Sequence, residues 1–199
     1  MIKPSISILL FSAAATLLGS LAPAVRAADP QAPVASAYAE IQTIAREAAD
    51  ADAMAGPIDA VLTELVDYGA FAKRTLKSRW KGLSARQKKR FQRAFKALIL
   101  RTYARRFKHG STFEVSWRGT PRYLDDAKQL AEVRSTVTGK KAAADVDYLM
   151  VSSPKGWKAH DIIVDEVSMA RNWRKQFKRI LDEKGFDELV RRIEKKSKR

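Results

Sequence analysis

The hydrophobic period of this chain changes twice, and that limits its fold more than any other feature. From residue 35 to about residue 108, apolar side chains recur every three or four positions. Between Phe113 and Val164 they recur every two, and from Ser168 the helical spacing returns. Strand-period sequence therefore forms one block between two helical blocks, which predicts a single α+β domain. The joints inside that block are short. Gly139-Lys140-Lys141 and Pro154-Lys155-Gly156 leave no room for a crossover, so the sheet is expected to be an antiparallel four-stranded meander.

Within the first helical block, residues 28–33 read as a Pro/Ala linker and residues 35–52 as an Ala-rich helix. Gly56-Pro57 is expected to break the chain, with Pro57 opening a second helix through Ile58, Val61, Leu62, Leu65 and Val66. Residues 71–80 continue helically to Gly82. The clearest helix spans 84–108, opened by a capping box of Ser84 and Gln87. Phe91, Phe95 and Leu98 share one of its faces, while Arg86, Lys88, Lys89, Arg90, Arg93 and Lys96 crowd the rest. Two helices close the chain, 168–184 and 187–196, with Gly185 as the C-cap between them and the terminal KKSKR expected to fray.

Residues 1–27 read as a cleavable export signal. Lys3 precedes an apolar run over 6–21, Pro23 interrupts it, and Val25-Arg26-Ala27 offers small residues at a cleavage point. No cysteine follows the run, which argues against a lipid anchor. The mature chain is expected to be exported, soluble and a single domain over 28–199. Losing the signal removes Lys3 and Arg26 and no acid, so the formal charge of +16 falls by two. A charge of this size ordinarily suggests nucleic acid, but an exported protein rarely meets any. Anionic headgroups and acidic protein surfaces are the expected partners, with transient contact at membrane surfaces.

The composition leaves little catalytic chemistry. There is no cysteine, and the two histidines, His109 and His160, lack a second histidine at ligand spacing. Asp145 and Asp147 share a strand face and could form an acid/base pair, but alternation puts them on the polar face beside Arg134, where salt bridging is the expected role. Asp161, Asp165 and Glu166 cluster beside His160. No phosphate-binding Gly-rich loop or nucleophile elbow is present, so nothing in the sequence requires an enzyme, a metal or a cofactor.

Several stretches resemble the MlaC family, also called the toluene-tolerance auxiliary family. They are the helix RTLKSRWKGLSARQKKRFQRAFKALILRTYARRF, the strand–helix DIIVDEVSMARNWRKQFKRIL and the KGFDELVRRI that follows. Matching positions include Trp80-x-Gly82, Gln87, Phe91, Phe95, Tyr103, Gly156-Trp157, Val167-Ser168, Asn172-Trp173-Arg174, Phe177 and Gly185-Phe186, from about Ile58 to Ile193. One departure is Glu166, where a glycine is expected before the Val-Ser step.

The resemblance implies a periplasmic phospholipid-binding protein: a curled sheet wrapped by helices around an apolar lipid pocket. It also implies shuttling between an inner-membrane ABC transporter complex with an MCE-domain subunit and an outer-membrane lipoprotein–porin complex, which maintains outer-membrane lipid asymmetry. Some relatives are associated with hopanoids. The expected lining is Phe91, Phe95 and Leu98 of the long helix facing Val115, Trp117, Val133, Val146, Tyr148, Met150, Ile162 and Val164 of the strands. Lys88, Lys89 and Arg93 are expected to dock on headgroups or acidic partners. Two other classes compete. One is an exported enzyme using Asp161, Asp165 or His160 in a pocket, and the other is a basic adaptor acting through its surface alone.

Overall fold

The computed structural model describes residues 29–103, 107 and 109–198. The expected export signal, residues 104–106 and 108 at the expected end of the long helix, and Arg199 lie outside the described residues. Among the described residues, five α-helices and six strands follow the expected order: helices, then sheet, then helix. The strand order is β1 (Phe113–Trp117), β3 (Leu130–Gly139), β4 (Ala143–Ser153), β5 (Gly156–Val164) and β6 (Val167–Ser168), and β2 (Arg122–Tyr123) also pairs with β3.

Helix α1 (Ala32–Glu47) takes Pro33 into its first turn, so the linker is shorter than expected. The first break falls at residues 48–50 and not at Gly56-Pro57. Asp50 caps α2 (Ala51–Leu65), its Oδ1 accepting from the Asp52 and Ala53 amides at 2.9 and 2.8 Å. The helix so started carries Gly56 and Pro57 inside it. A short link through Val66 and Asp67 leads to α3 (Tyr68–Leu76), with a 3-10 turn over Lys77–Gly82. The expected capping box opens α4 (Ala85–Tyr103). Ser84 N–H donates to Gln87 Oε1 at 2.9 Å, and Gln87 N–H to Ser84 Oγ at 3.2 Å.

The long strands are β1 (Phe113–Trp117), β3 (Leu130–Gly139), β4 (Ala143–Ser153) and β5 (Gly156–Val164). Two short ones join the expected four: β2 (Arg122–Tyr123) inside the turn-rich stretch, and β6 (Val167–Ser168) hairpinned back on β5. The sheet is strongly curled. Tyr123 on β2 and Trp157 on β5 are three strand steps apart, about 14 Å across a flat sheet. Their rings nonetheless meet at 6.2 Å across the concave face.

Helix α5 (Met169–Lys198) is two helices meeting at Gly185, whose φ of 79° and ψ of −178° are a conformation that only glycine adopts readily. The terminal residues do not fray as expected but stay helical to Lys198. Lys196 lies over the Trp173 ring at 5.7 Å, which anchors this end.

Helix α4 does not lie across the sheet as the apolar faces suggested. It packs between α3 and α5. Phe95 meets Phe71, Phe91, Trp173 and Phe177, with ring centroids 5.3 to 6.2 Å apart. Arg174 closes this layer, donating to the Thr75 and Arg74 carbonyls at the end of α3 at 3.1 and 2.6 Å. Helices α2, α3 and α5 pack on β5, and α1 reaches the concave face through Tyr38 against Phe113, Trp117 and Tyr148.

Candidate binding site

Register decides which strand residues share the concave face, because directly opposed residues point the same way. Val115 faces Val137 and Trp117 faces Ser135. Val133 faces Tyr148, Ala131 faces Met150, and Val146 faces both Ser135 and Val164. At β5 simple alternation from Trp157 would send Ile162 outward. A bulge at His160 inserts one residue, so Trp157 and Ala159 point inward at one end, and Ile162 and Val164 at the other.

Burial along this face is graded. Ala131, Val133, Ser135, Tyr148, Met150 and Ala159 are buried, whereas Val115, Trp117, Val137, Val146, Ile162 and Val164 are only partly covered. The partly covered set clusters toward the Gly139 end of the sheet. The eleven residues expected to line one pocket are thus divided. Phe91, Phe95 and Leu98 are buried in α4, with both rings in the α3–α5 layer. Val133, Tyr148 and Met150 form the deep part of the sheet face, and Val115, Trp117, Val146, Ile162 and Val164 its shallow part.

Three hydroxyls lie in the floor. Tyr148 donates to Tyr38 Oη at 2.8 Å, and Ser135, near Tyr38, donates to the Val146 carbonyl at 2.7 Å. Burial pushes both phenols above their ordinary pKa, so they keep their protons. The hydroxyls have partners within the floor, which leaves an apolar surface for whatever occupies the concavity.

The acids considered for catalysis have structural partners. Asp161 is fully buried and accepts from Arg74 Nε at 2.8 Å, Ser168 Oγ at 2.7 Å, and the Ala170 and Ile162 amides at 3.0 and 2.9 Å. Ser168 Oγ also accepts from the Arg171 amide at 3.1 Å, so the pair caps α5 and ties it to α3. Asp165 Oδ1 accepts from the Asp145 amide at 2.9 Å, and Arg118 pairs with both Asp145 and Asp147. Burial, aided by Arg74, lowers the His160 pKa, which favours the neutral ring. Arg134 stands opposite Asp147, as expected, and the guanidinium that pairs with both strand aspartates is that of Arg118.

Two concavities lie elsewhere. One, of about 520 Å³, runs between α1 and α2 to the β4–β5 turn. The other, of about 600 Å³, is a shallow surface of α4 bearing Arg86, Lys89, Gln92 and Arg93. Lys89 and Arg93 therefore stand together with Arg86, which the sequence reading passed over. Lys88 turns away and lies over the Trp80 ring at 5.8 Å. Helical spacing alone separates 86, 89 and 93 from 88. Among the described residues no group of acids and histidines could hold a metal ion, and no helix is long and apolar enough to cross a membrane.

The sequence model of the MlaC protein family matches residues 34–195. The chain belongs to the MlaC family. This MlaC-family chain also shares its fold with a solved phospholipid-binding protein from Ralstonia solanacearum, determined in complex with a phospholipid. The TM-score is 0.74 at 22% identity, over 86% of this chain and 98% of that one. A comparison with curated protein sequences gives no significant match. Most of the residues that carried the family resemblance are structural: Trp173 and Phe177 fill the helical layer, Arg174 caps α3, and Gly185 sets the kink. At Glu166 this MlaC-family chain keeps the turn without the expected glycine, with φ of 46° and 66° at Asp165 and Glu166.

Proposed function

We propose that this protein is a soluble phospholipid carrier of the periplasm, exported by a signal cleaved after Ala27. The observation that carries the reading is the graded concave face: an apolar surface, its hydroxyls already paired, closed at its centre and partly uncovered at one end. An acyl chain needs such a surface. Hydration of one 16-carbon tail opposes its release into water by about 12 kcal/mol, so a carrier works only if it hides the tail. The fold is also that of a protein solved with a phospholipid in place.

The proposed binding residues are the partly covered Val115, Trp117, Val146, Ile162 and Val164 above the deeper Val133, Tyr148 and Met150, while Leu98 is buried in α4. Phe91 and Phe95 support this surface through the helical layer. Cargo passes between an inner-membrane ABC transporter complex with an MCE-domain subunit and an outer-membrane lipoprotein–porin complex, which preserves outer-membrane lipid asymmetry. Lys89 and Arg93, with Arg86 beside them and Lys88 turned toward Trp80, supply the docking charge, and α4 carries no acid to neutralise it.

Mass spectrometry of lipids extracted from protein purified out of the periplasm tests the reading. Phospholipid at a fixed ratio to protein is expected, and its absence from folded protein would overturn the proposal. Charge reversal at Lys89 and Arg93 should leave bound lipid unchanged and slow its transfer, as should raising the salt, because exposed charges are screened over about 8 Å at physiological ionic strength.

A further inference from the structure

The two edges of the sheet are finished unequally. At one edge, β6 hairpins back on the end of β5 and runs into α5. Val66 pairs with Ala159 further along β5, where the Asp67 amide donates to the Ala159 carbonyl at 2.9 Å. At the other edge, β1 is the outer strand and pairs only with β3. The Arg118 amide donates to the Arg134 carbonyl at 2.9 Å, in line with the β1–β3 register. Antiparallel pairing alternates, so Glu114 and Ser116 also turn their backbone groups toward β3, while Phe113, Val115 and Trp117 turn theirs outward. Gln42 of α1 fits this phase, its Nε2 donating to the Phe113 carbonyl at 2.6 Å. Among the described residues nothing takes the amides and carbonyls of Val115 and Trp117. Free edges are ordinarily blunted by a proline, a lysine or a bulge. The sequence FEVSW has neither residue, and its register with β3 is unbroken.

We propose that this edge takes a partner protein by strand addition, an extended segment with acidic ends pairing with Val115 and Trp117. The unpaired groups select a peptide. Amides and carbonyls repeating at strand spacing match another main chain, and a lipid tail offers them nothing. Charge selects the ends of the segment. Lys140 and Lys141 are exposed in the turn after Gly139, the residue opposite Phe113, and neither pairs with an acid among the described residues. Glu114 lies on the strand itself and repels an acid placed opposite it, so the partner's acids belong beyond the paired stretch. The strong positive charge of the chain weighs against a second copy as the occupant. An added strand would also continue the concave face past the half-covered side chains of Val115 and Trp117. The inference rests on backbone geometry and holds whatever the cargo.

Amide hydrogen exchange, followed by NMR on the whole mature chain, tests it. The probe is a short peptide alternating valine and threonine between terminal aspartates. In the free chain the Ser116 and Arg118 amides should exchange slowly, and those of Val115 and Trp117 fast. Peptide at millimolar concentration should slow Val115 and Trp117 severalfold, and the same peptide N-methylated at every amide should not. Equal protection by the methylated peptide overturns main-chain pairing. Protection of Val115 and Trp117 in the free chain that grows with protein concentration, together with a dimer in sedimentation, assigns the edge to a second copy and overturns the proposal. Lys140→Glu combined with Lys141→Glu should weaken peptide binding severalfold and leave lipid content unchanged, and binding indifferent to that reversal overturns the acidic assignment. If the reversal strips lipid, the lysines serve the cargo and their docking role falls. No protection by the peptide in lipid-loaded protein overturns the edge and leaves the carrier reading standing.

Discussion

The layer around Phe95 and the concave face of the sheet are both apolar, but they are finished differently. In the helical layer every large ring touches others, and Phe71, Phe91 and Phe95 are fully enclosed. On the sheet, burial declines from Val133 and Met150 to Val146 and Val164, and no strand or helix among the described residues covers that end completely. Close packing leaves no partner for a guest. Graded burial leaves apolar area whose stabilisation a ligand can complete. The helical layer therefore sets the stability of the domain, and the sheet face is where the proposed carrier would accommodate its apolar cargo.

The largest effect should come from opening the enclosed layer. Phe95→Ala removes a ring held by four others and should destabilise by about 3–5 kcal/mol in a denaturant titration. Any lipid lost should track the fraction unfolded. Val146→Glu makes the contrasting case. At a partly covered position the carboxylate reaches water, so thermal unfolding should shift only a few degrees, while lipid recovered per protein falls severalfold. If Val146→Glu unfolds the chain as Phe95→Ala does, or retains full lipid, the distinction between the two regions fails.

A smaller effect is expected from the hydroxyls in the floor. Tyr148→Phe deletes the single donor to Tyr38 Oη, so the cost should be about 1 kcal/mol, read from the denaturation midpoint at unchanged slope. Lipid retention should be unchanged or slightly improved, because the face becomes more apolar. A marked loss of lipid would mean that the hydroxyls contact cargo instead of each other.

The contrast between regions was only partly legible in the sequence. Period and turn length were enough for the helix–sheet–helix order, the Ser84–Gln87 box and the Gly185 kink, because each depends on neighbours a few residues away. What covers an apolar face depends on the whole chain. The stripe of Phe91, Phe95 and Leu98 announced burial but not its partner, and Trp173 and Phe177 lie some 80 positions away in α5. The β5 bulge was hidden for a similar reason, since alternation carries no mark of an inserted residue until the partner strand is known. Asp50 was a readable signal that the louder Gly56-Pro57 obscured. In the candidate site, periodicity named residues of the concave face, yet it could not distinguish packed positions from open ones, because both are apolar at the same spacing.

The smallest expected effect lies at the joint between the two regions, where β5 turns into β6 and then α5. Asp165 and Glu166 form a two-residue hairpin turn with φ of 46° and 66°. Such a turn requires left-handed backbone at both positions and favours glycine at the second. For Glu166 that conformation costs about 1–2 kcal/mol relative to right-handed backbone. A glycine removes the cost but loses up to about 1 kcal/mol more chain entropy on folding. Glu166→Gly should therefore stabilise by about 0.5 kcal/mol, raising the melting temperature by about 1–2 °C in a domain of this size. Glu166→Val at the same site should do the opposite, because a branched side chain tolerates positive φ poorly. The neighbouring anchor is unaffected by either change, since Asp161 and Ser168 hold the α5 terminus through their own hydrogen bonds. If glycine destabilises, the Glu166 side chain has a partner that offsets its backbone, and the turn itself becomes a contact surface to map.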